Sequence, residues 1–265
     1  MIVADSASSQ GRFVARGTGP HVAIGANELH VWDASLQRPA AEVARLRGLL
    51  CADERARADR FRFDRDRSRY TVGRGILRLL LGGYLGVRAD RVAFQYGRFD
   101  KPRLVGDPLC FNVSHSGAVA LFAFTVLGEV GIDVELDDAD FARERIAERF
   151  FSPAEVGALR ALPQSLQPLA FLTCWTRKEA FIKARGDGLS LALDSFDVNL
   201  EPGAPAALLR TAWSDEEPGH WSLRDLSDPG NGYVAAVAVR SAGWRLVDRR
   251  LETVDEYSPT GQETT

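Results

Sequence analysis

Lysine is nearly absent from this sequence. It occurs only at Lys101, Lys178 and Lys183, so almost all of the 33 basic residues are arginine. Arginine keeps its charge and forks onto phosphates or carboxylates, whereas lysine is a compact point charge, so each of three scattered lysines needs a reason. Cysteine is scarce as well. Cys51, Cys110 and Cys174 are odd in number and lack a CxxC spacing, which argues against a disulfide framework or a zinc site and fits a reducing compartment. No apolar run reaches the ~20 residues of a membrane-spanning helix; the longest covers only 118–127. The opening MIVADSASSQGRF lacks the basic start and apolar stretch of a secretory signal, so a cytoplasmic protein is expected. Charge excess is missing too. A net charge of −3 argues against a nucleic-acid binder that relies on overall positive charge, although local basic patches remain open.

What is present is an ordinary globular balance, 45% hydrophobic and 26% charged, over 265 residues. That length suits one large domain or two small ones. Residues 1–20, rich in Ser, Gly and Ala, and the polar stretch 251–265 read as tails. Between them, extended and helical patterns alternate without a fixed-period repeat. A short strand is expected at 29–32, a charged helix at 40–59, a second helix at 66–84 and a strand at 92–96. Residues 118–126 and 130–136 read as two strands of a hairpin turning at Leu127-Gly128-Glu129. Ser152, Pro153 and Glu155 form a capping-box start to a helix. A long helix follows at 166–185, stopped by Gly186 and Gly188, and strands are expected at 195–200, 221–226 and 233–239. The pattern is α+β, with mostly antiparallel strands.

Four segments carry chemistry. In GIDVE (131–135), strand alternation puts Asp133 and Glu135 on one face and Ile132 and Val134 on the other. Two adjacent carboxylates repel unless water or a cation separates them, and a hard cation such as magnesium prefers such oxygens; a solvated acidic strand face is the blander alternative. In FLTCWTRKEAFIKARGDGLSL (171–191), Phe171, Trp175 and Ile182 form a core stripe. Glu179 and Lys183, four apart, could be a surface ion pair worth ~0.3–0.5 kcal/mol. Lys178 falls on the stripe itself, where an unpaired ammonium is costly, so it must snorkel outward or find an anion. In FNVSHSG (111–117), Ser114, His115 and Ser116 offer donors suited to phosphate oxygens; adjacent Ser114 and His115 do not make a catalytic dyad. The arginine-dense stretch from Asp53 to Arg78 is interleaved with acids, as a salt-bridged pair of helices would be.

Taken in order, DKPRL (100–104), FNVSHSG, VGIDVE (130–135) and WTRKEAFIKARGDGLSL (175–191) resemble the Sfp-type 4′-phosphopantetheinyl transferases over roughly residues 57–196. The resemblance implies two similar α+β halves related by pseudo-twofold symmetry, 21–128 and 129–250, with the active site in the cleft between them. It implies transfer of 4′-phosphopantetheine from coenzyme A to a serine of an apo acyl or peptidyl carrier protein, releasing 3′,5′-ADP. It also implies a magnesium ion, with manganese possible, held by Asp133, Glu135 and Glu179. Lys183 matches the lysine that meets the pyrophosphate, Ser114 and His115 the phosphate cradle, and Lys101 and Pro102 the segment near adenine and ribose. Arg57 matches the basic residue for the 3′-phosphate, with Arg55, Arg69 and Arg74 as lesser candidates. Asp100 departs from the family's usual glycine. Glu179, or a magnesium-bound water relayed by it, is the expected base, and Glu179, Lys183 and His115 are the catalytic set. The expected protein is a monomer without nucleic-acid or membrane partners, converting apo- to holo-synthases of polyketide or nonribosomal peptide type. The alternatives are a narrow fatty-acid holo-carrier synthase, a coenzyme A-binding protein without activity, and a magnesium phosphohydrolase.

Overall fold

Strand β1 (Glu28–Ser35) reads ELHVWDAS, and both of its faces are covered: Leu29 and Val31 on one side, His30 and Trp32 on the other, are all buried. It belongs to a computed structural model that describes residues 21–96, 101–106, 108–137, 143–186 and 188–253. The proposed tail 1–20, most of the proposed tail 251–265, and Asp100 lie outside these residues.

The charged segment after β1 forms two helices instead of one, α1 (Ala40–Gly48) and α2 (Ala52–Asp59). Cys51 breaks them with extended backbone, and its N–H donates to Glu54 Oε2 at 2.9 Å. Helix α3 (Asp64–Leu85) then runs through Gly82 and Gly83 and stops at Gly86, whose φ of 62° is the left-handed cap that glycine adopts without cost. Strands β2 (Phe94–Tyr96) and β3 (Pro102–Leu104) form a small hairpin, followed by β4 (Cys110–Ser116) and β5 (Val119–Thr125).

The second half repeats this order. It has β6 (Val130–Leu136), helices α4 (Arg143–Phe150), α5 (Pro153–Ala161) and α6 (Gln167–Arg185), a hairpin of β7 (Phe196–Val198) and β8 (Leu208–Thr211), then β9 (Ser222–Asp225) and β10 (Tyr233–Val239). The first sheet runs β1-β5-β4 and the second β6-β10-β9, all antiparallel, so each half places its strands in the same spatial order. This is the pseudo-symmetric α+β architecture. The long helix α3 covers one sheet through Ile76, Leu77, Leu80 and Tyr84, and α6 covers the other through Phe171, Ala180, Phe181 and Ala184. The remaining sheet faces meet in a third core, where Leu29, Val31, Leu121 and Ala123 pack on Ile132, Val134, Ala235 and Val237.

Two expectations fail here. Strands β5 and β6 exist as foreseen but are not a hairpin: β5 pairs with β4 and β1, and β6 pairs with β10. Both edges of β5 are already occupied, so the link at 126–129 crosses from one sheet to the other. The true hairpin is β4–β5, turned at Gly117 with φ 56°. Residues 245–250 also do not stay with the second half. They form β11 (Arg245–Leu251), which pairs in parallel with β1.

The capping box is present as read, with Ser152 Oγ accepting from the Glu155 N–H and Glu155 Oε2 accepting from the Ser152 N–H. Gly131 explains how β6 sits so near α6. A Cβ there would lie 2.1 Å from the Ala180 carbonyl oxygen and 2.3 Å from the Ala184 nitrogen. Backbone cannot yield as a side chain can, so Gly131→Ala is expected to cost about 3 kcal/mol, the upper end of overpacking losses. Gly157→Ala, at a helical site where a Cβ meets nothing within 4 Å, should instead gain about 0.5–1 kcal/mol. Chemical denaturation of both variants measures the contrast.

Candidate active site

The alternation of β4 sends Asn112, Ser114 and Ser116 toward β6, and each makes a bond there. Asn112 Oδ1 accepts from the Ile132 N–H at 2.9 Å, Ser114 Oγ donates to Asp133 Oδ1 at 2.9 Å, and Ser116 Oγ donates to Glu135 Oε2 at 2.9 Å. Side chains thus knit the two halves where no backbone ladder joins them, and they fix the two carboxylates of GIDVE. Ser114 and Ser116, read from the sequence as donors suited to phosphate oxygens, here donate to carboxylates. Asn112 was not singled out, because its partner is a backbone amide on a strand that sequence spacing does not connect to it.

Helix α6 supplies the other wall. Lys183 Nζ donates to Asp133 Oδ1 at 2.5 Å and to Ser114 Oγ at 2.9 Å, so it is not merely an ion-pair partner for Glu179 on a helix surface. Burial raises the pKa of Asp133 above the usual carboxylate range, with Lys183 opposing. Glu135 is raised by burial and by the Asp133 charge, and hydrogen bonds from Ser116 and Trp175 offset only part of this. Glu179 is raised by burial and by the charges of Asp133 and Glu135. The three carboxylates therefore feel one another across β6 and α6.

Among the described residues, no three metal-ligating side chains stand at ligand distance as placed. The donor set nevertheless fits a hard cation. Asp133 Oδ2 is buried without a hydrogen-bond partner among the described residues, and the neighbouring groups are carboxylate oxygens whose repulsion a cation would relieve.

Beside this cluster a cleft of about 210 Å³ opens between α3 and β4, lined by Arg69, Tyr70, Arg74, Pro102, Asn112 and His115 among others. Its basic groups are not equivalent. Arg74 donates to Glu54 and, at 2.8 Å, to the Tyr96 hydroxyl, while its guanidinium stacks 3.9 Å from the Phe94 ring centroid. Arg69 has no carboxylate partner among the described residues and lies close enough to His115 to affect it electrostatically. Arg57 is exposed and sits over the ring of Tyr70, 5.7 Å from its centroid, at the edge of the cleft. Arg55 is turned back onto the Leu50 carbonyl at 2.7 Å. His115 reaches solvent, yet crowding by protein and the Lys183 and Arg69 charges hold its pKa below the ordinary histidine value.

A family model described as the 4′-phosphopantetheinyl transferase superfamily matches residues 129–238, and one for the N-terminal part of such a transferase matches 32–126. The 4′-phosphopantetheinyl transferase HetI of Nostoc sp. is 41% identical over 85% of this chain and 93% of its own. The chain belongs to the 4′-phosphopantetheinyl transferase family. It is an enzyme of that transfer. The transferase Sfp of Bacillus subtilis is 31% identical over 65% of this chain and 77% of its own. The crystal structure of Thermotoga maritima holo-[acyl-carrier-protein] synthase overlaps 44% of this chain and 64% of its own at a TM-score of 0.34 and 23% identity, a likeness too slight to argue from.

Two of the transferase's three lysines do not point into the cleft. Among the described residues, Lys101 donates only to backbone carbonyls: Val130 at 3.2 Å, Lys183 at 2.5 Å and Ala184 at 3.2 Å. Its ammonium is therefore engaged by backbone, while its neighbour Pro102 lines the cleft. Of the two alternatives for Lys178 on the apolar stripe, snorkelling outward or meeting an anion, the structure shows the second. Fully buried, it pairs with Glu155 Oε2 at 2.7 Å and donates to the Leu193 and Phe196 carbonyls at 2.7 and 2.6 Å. Glu155, also buried, is the residue that caps α5, so the pair ties α6 to α5 and touches none of the reacting groups. Breaking such a pair leaves an uncompensated buried charge. Lys178→Ala is expected to lose about 3–5 kcal/mol of stability, measured by denaturant unfolding, with the remaining folded enzyme keeping its turnover.

Proposed function

We propose that this transferase moves 4′-phosphopantetheine from coenzyme A to a serine hydroxyl of an apo acyl or peptidyl carrier protein, in a magnesium-dependent reaction releasing 3′,5′-ADP. The observation that carries the reading is one junction: Lys183 resting on Asp133, whose second oxygen is buried and has no hydrogen-bond partner among the described residues, beside a cleft that holds Arg69 and His115. A phosphate-rich ligand needs cationic donors on one side and metal-holding oxygens on the other, and this seam offers both.

Asp133, Glu135 and Glu179 would hold the cation. It would supply charge neutralisation at the pyrophosphate as the bond to the leaving group breaks. Lys183 and His115 donate to the same phosphate oxygens, in a site partly shielded from water where such donors count most. Arg69, with Arg57 at the rim, takes the 3′-phosphate; Arg74 contributes less because Glu54 already claims part of its fork. The Glu179 carboxylate accepts the serine proton as general base.

Every one of these groups comes from a single chain, which supports a monomer. The carrier, an acidic helical bundle, would approach the exposed arginines of α2 and the start of α3, where Phe63 is exposed with Arg62 over its ring. Among the described residues no helix is long and apolar enough to cross a membrane. A cytoplasmic site of action, on synthases of polyketide or nonribosomal peptide type, is the setting we propose.

Intact mass spectrometry of apo carriers incubated with the protein, coenzyme A and magnesium should record the gain of one phosphopantetheine, lost on adding EDTA. Asp133→Ala and Glu179→Gln should both abolish the gain while circular dichroism stays native. A Glu179→Gln protein with normal turnover would sink the assignment of base and ligand. Arg69→Ala is expected to raise KM for coenzyme A about tenfold, as loss of a charge-assisted contact does, and to leave KM for dephospho-coenzyme A nearly unchanged. Equal effects on both substrates would move Arg69 away from the 3′-phosphate.

A further inference from the structure

The Lys101 ammonium has an unusual set of partners. It stands immediately before the short strand β3 in the first half, yet all three of its hydrogen bonds to described residues end on the second half. Two acceptors, Lys183 and Ala184, lie in the last turn of α6, where helix carbonyls have no intrahelical partner and the dipole is negative. The third, Val130, is the first residue of β6. Three donors meet three acceptors, so the ammonium is saturated without a carboxylate. Burial and repulsion from Arg103 lower its pKa to about 8, with Glu129 and Cys110 opposing. A half-buried ammonium bound only to carbonyls is costly to keep, and the geometry around it indicates what it does.

Gly131 follows Val130 directly and is the point where β6 touches the α6 backbone. Lys101 therefore clamps the join from the side. The register of that join sets where Glu179 and Lys183, on α6, stand relative to Asp133 and Glu135, on β6. We infer that Lys101 is a positioning residue for the transfer reaction: from the half that carries neither group, its ammonium locks α6 to β6 and so holds Glu179 and Lys183 in place against Asp133 and Glu135. Because Pro102 lines the cleft next to it, the same two residues connect the cleft wall to the carboxylate cluster. The kinetic half of this inference rests on the function proposed above; the mechanical half does not.

Two measurements on Lys101→Met test it. Hydrogen exchange of the protein without ligand should show faster exchange in peptides covering 130–136 and 179–186, with the α3 core unchanged. At saturating carrier, kcat should fall by about 10- to 100-fold, as sub-ångström misplacement of reacting groups does, while KM for coenzyme A moves less than about threefold. Unchanged exchange in those peptides overturns the inference. So does a rise in KM with kcat intact, which would make Lys101 a ligand contact, or a drop in Tm with both constants intact, which would make it a stability residue only. Lys101→Gln carries the same criteria should the methionine variant fail to fold, and failure of both to fold overturns the positioning role. If the wild-type protein modifies no carrier, the proposed function fails by itself, and the exchange measurement still decides the clamp.

Discussion

The structure depends on the approach of β6 to α6 at Gly131, where the strand lies against helix backbone with no side chain between them. Residues on this seam are close enough for Asp133 to meet Lys183 and for Glu179 to feel both strand carboxylates. Carboxylates gathered under burial are unstable company, and their raised pKa values express that. Such a cluster persists because its surroundings are over-determined: Ser114 and Ser116 bond the carboxylates, and α6 is tied at its middle by the Lys178–Glu155 pair. The site is held by the fold, in the sense that its supporting bonds come from both halves and from four separate elements.

Much of this was legible in the sequence, for local reasons. Strand and helix periods marked β6, β10, α3 and α6 to within a few residues, and the Ser152 capping box appears as its spacing implied. Alternation alone put Asp133 and Glu135 on one face. The apolar stripe around Lys178 signalled that it must either snorkel outward or meet an anion, and could not decide, since Glu155 lies on another helix.

What was not legible depends on partners far along the chain. Two strands with a glycine between them look like a hairpin whether or not their edges are free, so the β5–β6 pairing was misread. Arg74 looked as available as Arg69 until Glu54 was found bound to it. Ser114 and Ser116 have hydroxyls that suit phosphate and carboxylate equally, and only the position of β6 decides between them. The arginine-rich helices show the same limit: their composition indicated salt bridges, and the burial of Arg78 against Glu54, with its donors on the Ala89 and Val92 carbonyls, could not be read from it.

Strand β11 pairs in parallel with β1, so the first sheet receives one of its four strands from nearly the far end of the chain. During synthesis, the first half leaves the ribosome with one edge of β1 open and with Leu251, part of its core, still missing. That exposed edge can be closed only when translation has passed the second half. The two halves look like successive units along the sequence, but the first is completed only after the second has been made.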